Sequence, residues 1–255
     1  MTNPITPTVQ PAAFELLHPA VQRRLWDMHW ESLRPLQVSG IREILTTRQH
    51  VILAAPTAAG KTEAAFLPIL SAIADESAGS VRAVYVGPLK ALINDQFARI
   101  GDLCTHLDMP VHSWHGDIAA NKKAKLIADP GGVLLITPES IESLFVNRPS
   151  HLRTVFAGLR FIVIDELHTF LDNERGLHLR SLLTRLLGKT ENPATVRLIG
   201  LSATIGDMAV AKRYLAPDAP ETVSLVEDAG GGKELKLRVH CYLSEPLPPE
   251  HNATE

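Results

Sequence analysis

Cysteine is scarce in this chain: Cys104 and Cys241 are the two thiols among 255 residues. Two thiols build neither a disulfide framework nor a four-ligand zinc site, which leaves them as small apolar residues suited to a reducing compartment. A surplus of positive charge is also absent. With 25 Lys and Arg against 28 Asp and Glu the formal net charge is −3, so any binding of nucleic acid has to come from a local basic or dipolar surface. No apolar run reaches the length of a membrane span. The opening MTNPITPTVQPAAF has neither the basic start nor the apolar core of a secretion signal. These gaps predict a cytoplasmic protein with no membrane partner.

What is present is ordinary globular material, 45% apolar and 21% charged, enough for one good core or two small ones. Residues 1–13 read as a loose Pro- and Thr-rich arm. The stretch FELLHPAVQRRLWDMHW has helical spacing, with Leu17, Val21 and Leu25 on one face and Pro19 near the start. After Gln37 short apolar runs alternate with longer segments that read as helices: HVILAAP, VRAVYVGP, VHSWH, GVLLITP, FIVIDE and TVRLIGLSAT. Among the helical segments, GLHLRSLLTRLLG places Leu179, Leu182, Leu183, Leu186 and Leu187 on one stripe. Strands that are apolar throughout suit a sheet covered on both faces, and strand–helix alternation argues for parallel, right-handed crossovers. The fold class is therefore α/β, a mostly parallel sheet of six to seven strands with helices on both faces. The partition is 1–36 for the arm and first helix, 37–215 for the main domain, and 216–255 for a strand candidate, ELKLRVHCYL, and a Pro-rich linker.

Two motifs carry chemistry. In AAPTAAGKT, the strand HVILAA runs into a loop, and Gly60-Lys61-Thr62 opens a helix. Backbone N–H groups and the helix N-terminus suit a phosphate, Lys61 adds a point charge, and the Thr62 hydroxyl is placed to ligate Mg²⁺. The general loop pattern wants glycine where Ala55 stands, and a G-K-T before a helix also arises by chance. Pro68 inside the helix predicts a kink. About a hundred residues downstream, the apolar strand of LRFIVIDELHTF ends in Asp165 and Glu166. A bare acidic pair at a strand end is ordinarily a solvated turn. Following a phosphate loop, it reads as a metal-holding Asp165 and a water-activating Glu166 at the C-terminal edge of a parallel sheet.

Asp165-Glu166-Leu167-His168 is a DExH box, and AAPTAAGKT resembles the first motif of superfamily 2 helicases, in which the leading glycine is often absent. Ala55 is then a family variant. GPLKALINDQ resembles motif Ia, TPES motif Ib, and LSATIGD contains the Ser202-Ala203-Thr204 tripeptide of motif III. WESLRPLQ resembles the adenine-reading Q motif, with His29 where glycine is common and Arg34 where Ser or Thr is common. The texture of RPLQ, PLKALINDQ, ITPESIESLF and DELHTFLDNERGLHLRSLLTRL is similar to the large helicase-related (Lhr-type) group.

The resemblance implies a RecA-like ATP-binding domain using ATP and Mg²⁺. It implies Glu166, Lys61 and Asp165 as catalytic residues, and Gln37, Pro56, Thr57, Ala58, Ala59, Gly60, Lys61 and Thr62 as nucleotide contacts. Thr62 and Asp165 would hold the metal. Pro88, Leu89 and Lys90, with Thr137, Pro138 and Glu139, would follow the backbone of one nucleic-acid strand, and His115-Gly116-Asp117 would shape the same groove. His168, Ser202, Ala203 and Thr204 would couple nucleotide state to strand grip. Single-stranded or partly duplex nucleic acid is the implied partner, DNA ahead of RNA or a hybrid. A motor of this class has two RecA-like domains. No Q-x-x-R-x-G-R-type motif follows Thr204, so the arginine finger is expected from a second domain, and the chain alone is expected to hydrolyse Mg-ATP slowly and not to unwind. A binding module that has lost turnover and a P-loop kinase or GTPase are the competing readings. Four intact site residues oppose the first, and the absence of N-K-x-D opposes a GTPase.

Overall fold

The computed structural model of the protein describes residues 12–56, 59–76, 79–203 and 206–228. Thr57, Ala58, Thr204, Cys241 and the strand candidate ELKLRVHCYL lie outside them.

The uniformly apolar strands have a simple cause: each is covered on both faces. Strands β1 (His50–Ala54), β2 (Ala83–Val86), β3 (Val111–Trp114), β4 (Val133–Ile136), β5 (Phe161–Ile164), β6 (Arg197–Ser202) and β7 (Val223–Glu227) form one sheet. Their order is β3-β4-β2-β5-β6-β1-β7, and every neighbouring pair is parallel. Alternate residues serve opposite layers. Val51, Leu53, Tyr85, Val163 and Ile199 join one buried cluster, while Ile52, Val84, Val86, Ile162 and Ile164 join the other.

The first cluster is closed by α1 (Pro19–Asp27), α2 (Pro35–Thr46), α3 (Lys61–Ile73) and α4 (Lys90–Leu103). The second receives α5 (Ala120–Ala128), α6 (Pro138–Asn147), α7 (Leu152–Phe156), α8 (Glu174–Leu187) and α9 (Met208–Leu215). On α8 the expected stripe is buried at Leu179, Leu182, Leu183 and Leu186, and Leu187 is half-buried. Cys104 is a buried free thiol, and burial pushes its pKa up to about 12, which leaves it a small apolar residue.

Two local expectations change, at the N-terminal helix and at β7. The N-terminal helix is split into a 3-10 turn at Ala13–Leu16 and α1, because His18 caps α1 through Nδ1, accepting from the Ala20 N–H at 3.2 Å, with Pro19 next. Leu17, Val21 and Leu25 are buried together as their spacing predicts. Helix α3 runs through Pro68 as one element. Proline supplies no N–H to the Ala64 carbonyl, and Gly40 of α2 packs on that oxygen so closely that a Cβ would stand 2.8 Å away. Finally, β7 lies beyond residue 215 yet pairs with β1 along its whole length. As an edge strand it buries only Val223 fully, so its apolar signal is weak.

Candidate nucleotide cleft and adjoining groove

All the strands point the same way, so their C-terminal ends share one edge of the sheet. From β1 the chain turns through Pro56 and Ala59 to Gly60, whose φ of 84° lies in the left-handed region that glycine occupies freely. A Cβ on Gly60 would come 2.7 Å from Gln37 Nε2. Helix α3 begins at the next residue, so its unpaired first-turn N–H groups face this edge. Gln37, Gly60, Lys61, Thr62, Asp165 and Glu166 line one cleft of about 590 Å³. The Lys61 ammonium donates to the carbonyls of Ala55 (2.8 Å) and Pro56 (3.2 Å).

Asp165 follows β5 and is buried. Oδ1 accepts the Glu166 N–H at 2.9 Å, and Oδ2 accepts the Tyr85 hydroxyl. Tyr85 reaches it because Tyr85 pairs with Val163, so Asp165 is the diagonal neighbour two residues on, on the same face. Burial pushes the Asp165 carboxyl above its usual range, outweighing the hydrogen bonds from Tyr85 and Glu166 and the attraction of Lys61. Burial, then the Asp165 charge, push the Tyr85 hydroxyl well upward, so it stays a donor. Glu166 has φ 47°, an uncommon conformation for a residue with a side chain. A buried carboxylate with no full counter-charge fits a cation, and the Thr62 hydroxyl lines the same cleft. Among the described residues no group of three or more His, Cys, Asp or Glu forms a cage of its own. Two protein oxygens plus phosphate oxygens are the ligand set Mg²⁺ accepts.

The sequence reading did not single out Tyr85, nor Glu63, Gln96 and Arg99, which line the same cleft. Glu63 pairs with Arg99 across α3 and α4, while Glu63 Oε2 and Gln96 Oε1 are buried without a hydrogen-bond partner. Only the position of Glu63 directly after GKT could have drawn notice to it. Gln37 is also buried, and its Oε1 accepts the Arg34 N–H at 2.9 Å, closing the start of α2. One acceptor position of its amide is thus already occupied. His29 has φ 57°, a physical reason for glycine being common at that position.

The DExH histidine joins the acidic pair to the end of β6. His168 Nδ1 lies 3.1 Å from Ser202 Oγ and 3.5 Å from Glu166 Oε2. Ser202 is fully buried and Ala203 follows it at the strand end.

A second cluster lies at the neighbouring ends of β2 and β4. Pro88 is buried, Leu89 and Lys90 are exposed, and Lys90 opens α4. Its ammonium bonds both Asp117 oxygens at 2.9 and 3.1 Å, which brings the His115-Gly116-Asp117 turn to the same place. The hydrogen bond from Lys90, then its charge, hold the Asp117 carboxyl below its usual range. Thr137 and Pro138 are buried and Glu139 is exposed in the first turn of α6. Arg175 of α8 joins the two loops and was not foreseen. Its Nε donates to Glu139 Oε1 at 3.0 Å, its Nη2 donates to the Pro88 carbonyl at 2.7 Å, and its guanidinium lies over Phe170.

Residues 34–212 match the DEAD/DEAH box helicase family. The chain is 31% identical over 251 residues to the ATP-dependent helicase Lhr-Core of Methanothermobacter thermautotrophicus, covering 90% of this chain and 28% of that protein. Its fold superimposes on the Mycobacterium smegmatis helicase Lhr bound to single-stranded DNA and AMP-PNP with a TM-score of 0.75 and 26% identity, covering 86% of this chain and 28% of that one. The helicase MrfA bound to DNA gives a TM-score of 0.71 at 26% identity, over 86% of this chain and 30% of that one. The chain thus spans less than a third of the length of each of these proteins. The sheet and its helices are those of a RecA-like helicase domain, and the P-loop kinase and GTPase readings fall away. The chain belongs to the DEAD/DEAH box helicase family.

Proposed function

We propose that this chain is the ATP-binding RecA-like domain of an ATP-dependent helicase that moves on nucleic acid, DNA ahead of RNA. The observation that carries this is the convergence of Lys61, Thr62, Asp165 and Glu166 on one cleft at the C-terminal edge of the sheet. Phosphates would displace the Ala55 and Pro56 carbonyls from Lys61 and take the first-turn N–H groups of α3. Mg²⁺ held by Thr62 and Asp165 would neutralise charge on the phosphates as it develops. The Glu166 carboxylate, which takes no part in the hydrogen bonds that engage Asp165, orients and deprotonates the attacking water. His168, touching both Glu166 and Ser202, transmits the state of the cleft to the end of β6. The free Gln37 NH₂ reads one edge of the adenine. The groove formed by Pro88–Lys90 and Thr137–Glu139 follows the sugar–phosphate backbone of one strand.

In the whole protein, a second RecA-like domain would close on this cleft and supply an arginine finger, a contribution of roughly 10³–10⁵ in rate. The test measures nucleotide binding and Mg²⁺-dependent ATP hydrolysis by the chain alone, with single-stranded DNA and with single-stranded RNA. Glu166→Gln should keep nucleotide and lose any residual turnover. Normal hydrolysis by Glu166→Gln would remove the carboxylate from the role of base, and failure of Mg-ATP to bind at all would remove the reading. DNA-stimulated turnover would favour DNA, and RNA-stimulated turnover would favour the alternative substrate.

A further inference from the structure

We infer that Arg175 is a positioning residue for strand binding, one that sets the spacing of the loops after β2 and β4 and cancels the charge of Glu139. This rests on the reading of those loops as the strand groove. The two loops end adjacent parallel strands and lead directly into helices, α4 and α6. At the base of the two loops the Gly87 N–H donates to the Ile136 carbonyl at 3.1 Å; farther out, among the described residues, no side chain of either loop ties it to the other. Arg175 does, from a third segment. It reaches a backbone oxygen of one loop and a carboxylate of the other with the flat fork of one guanidinium.

The geometry fixes Arg175 in turn. The Asn173 side chain accepts the Gly176 N–H at 2.9 Å and caps α8. A Cβ on Gly176 would stand 1.6 Å from the Phe170 carbonyl oxygen, so the α8 start and the Phe170 turn are pressed together with no slack. Phe170 is buried, and its ring forms the surface on which the guanidinium lies at 5.5 Å. The arginine is therefore held at its end of the contact as firmly as the loops are at theirs.

The charge argument is separate. Glu139 is the acid exposed among the six groove candidates, and a carboxylate there repels a phosphodiester chain. Partial burial pushes its pKa upward but is outweighed by hydrogen bonds from its own N–H, from Arg175 and from Thr137, so it is ionised at neutral pH. Arg175 spends its charge on that carboxylate and is left with none to neutralise a phosphate. Removing it should cost affinity without changing the number of phosphates neutralised.

The experiment compares the unmodified chain with Arg175→Gln, Arg175→Lys and Glu139→Gln. Single-stranded oligonucleotide affinity is measured across a range of salt, with ATP-analogue affinity and Tm alongside. Hydrogen exchange is recorded for residues 87–92 and 137–142 in the free protein. Arg175→Gln should weaken oligonucleotide binding about tenfold or more, leave ATP-analogue affinity unchanged and speed exchange in both loops together. Its log–log salt slope should match the unmodified chain. Arg175→Lys, a point charge without the fork, should recover only part of the affinity, and Glu139→Gln should speed exchange in its own loop more than in the other. A slope smaller by about 0.7, the value for one lost phosphate contact on a single strand, would overturn the inference by making Arg175 a direct contact. Unchanged affinity with unchanged exchange in Arg175→Gln would also overturn it. If the unmodified chain binds no oligonucleotide, the groove reading fails, and the exchange measurement still decides whether Arg175 joins the loops.

Discussion

Replacing Tyr85 with Phe tests the acidic site more sharply than replacing either acid. The ring stays where it is, within the core beside Phe66 at 6.1 Å between centroids, and a single hydroxyl is lost. That hydroxyl is the donor to Asp165 Oδ2, and the other oxygen keeps only the Glu166 N–H. A hydrogen bond to a charged group contributes about 1.5–3 kcal/mol net, and one pKa unit corresponds to about 1.4 kcal/mol. The Asp165 carboxyl, already pushed up by burial, should therefore rise further in Tyr85→Phe.

The sign follows directly. In the proposed function Mg²⁺ takes the ionised Asp165 carboxylate, so a higher pKa would move the acid limb of Mg²⁺-dependent nucleotide binding to higher pH. The assay is a fluorescent ATP analogue titrated with and without Mg²⁺ between about pH 5 and pH 8, with Tm measured on the same samples. Tyr85→Phe should weaken Mg²⁺-dependent binding at least about tenfold on the acid side. Binding without Mg²⁺, which the proposed function assigns to Lys61 and the α3 N-terminus, should be untouched. An unchanged acid limb with unchanged Mg²⁺ half-saturation would refute the reasoning, because it would mean that Asp165 needs no help to stay ionised and oriented.

Two further outcomes follow from the same packing. Asp165→Asn should raise the Tm of the nucleotide-free chain at neutral pH, by about 2–4 °C for each kcal/mol recovered. The native pKa of Asp165 is raised, so its contribution to stability is present below the unfolded-state pKa and is lost as pH rises through the native value. The gain over the parent should accordingly be full above that native value and vanish in acid, as read by calorimetry against pH; no gain at neutral pH would contradict the desolvation account. Gly176→Ala should cost more than the usual 1–3 kcal/mol of overpacking, because the clash at 1.6 Å is with the Phe170 backbone oxygen and not with a movable side chain. Denaturant unfolding within about 0.5 kcal/mol of the parent would show that the α8 start can shift.

Much of this was legible in the sequence for one reason: burial on both faces leaves apolar runs, so the candidates that form β1, β2, β4, β5 and β6 and the α8 stripe announce themselves. The edge strands β3 and β7 each have three half-buried residues and a weaker apolar signal; β3 stood out as VHSWH, and β7 did not. The loop and the acidic pair were legible because phosphate and metal chemistry demand residue types in a fixed order. Tyr85 and Arg175 were invisible for the opposite reason. Tyr85 reads as one more apolar strand residue until its partner, 80 positions away, is placed beside it. Arg175 reads as a solvated helix-start arginine until the Pro88 carbonyl, 87 positions away, is seen beneath it.

The strand order explains why such contacts arise where they do. Along the sheet, β4, β2, β5, β6 and β1 are consecutive neighbours, and each ends in one candidate motif. In the chain those motifs are separated by whole helices. Parallel pairing sets their ends about 4.8 Å apart per strand, within reach of a single long side chain. Arg175 joins the ends of β4 and β2, Tyr85 joins β2 to β5, and His168 joins β5 to β6. Tyr85 and His168 each cross one strand gap, and Arg175 reaches two neighbouring strand ends from the start of α8. A parallel sheet whose motifs sat on strands two or more apart would need a different device for every link, or a mobile loop. Here the adjacency imposed by the fold lets three side chains run from the loops after β4 and β2 to the acidic pair and on to the buried Ser202.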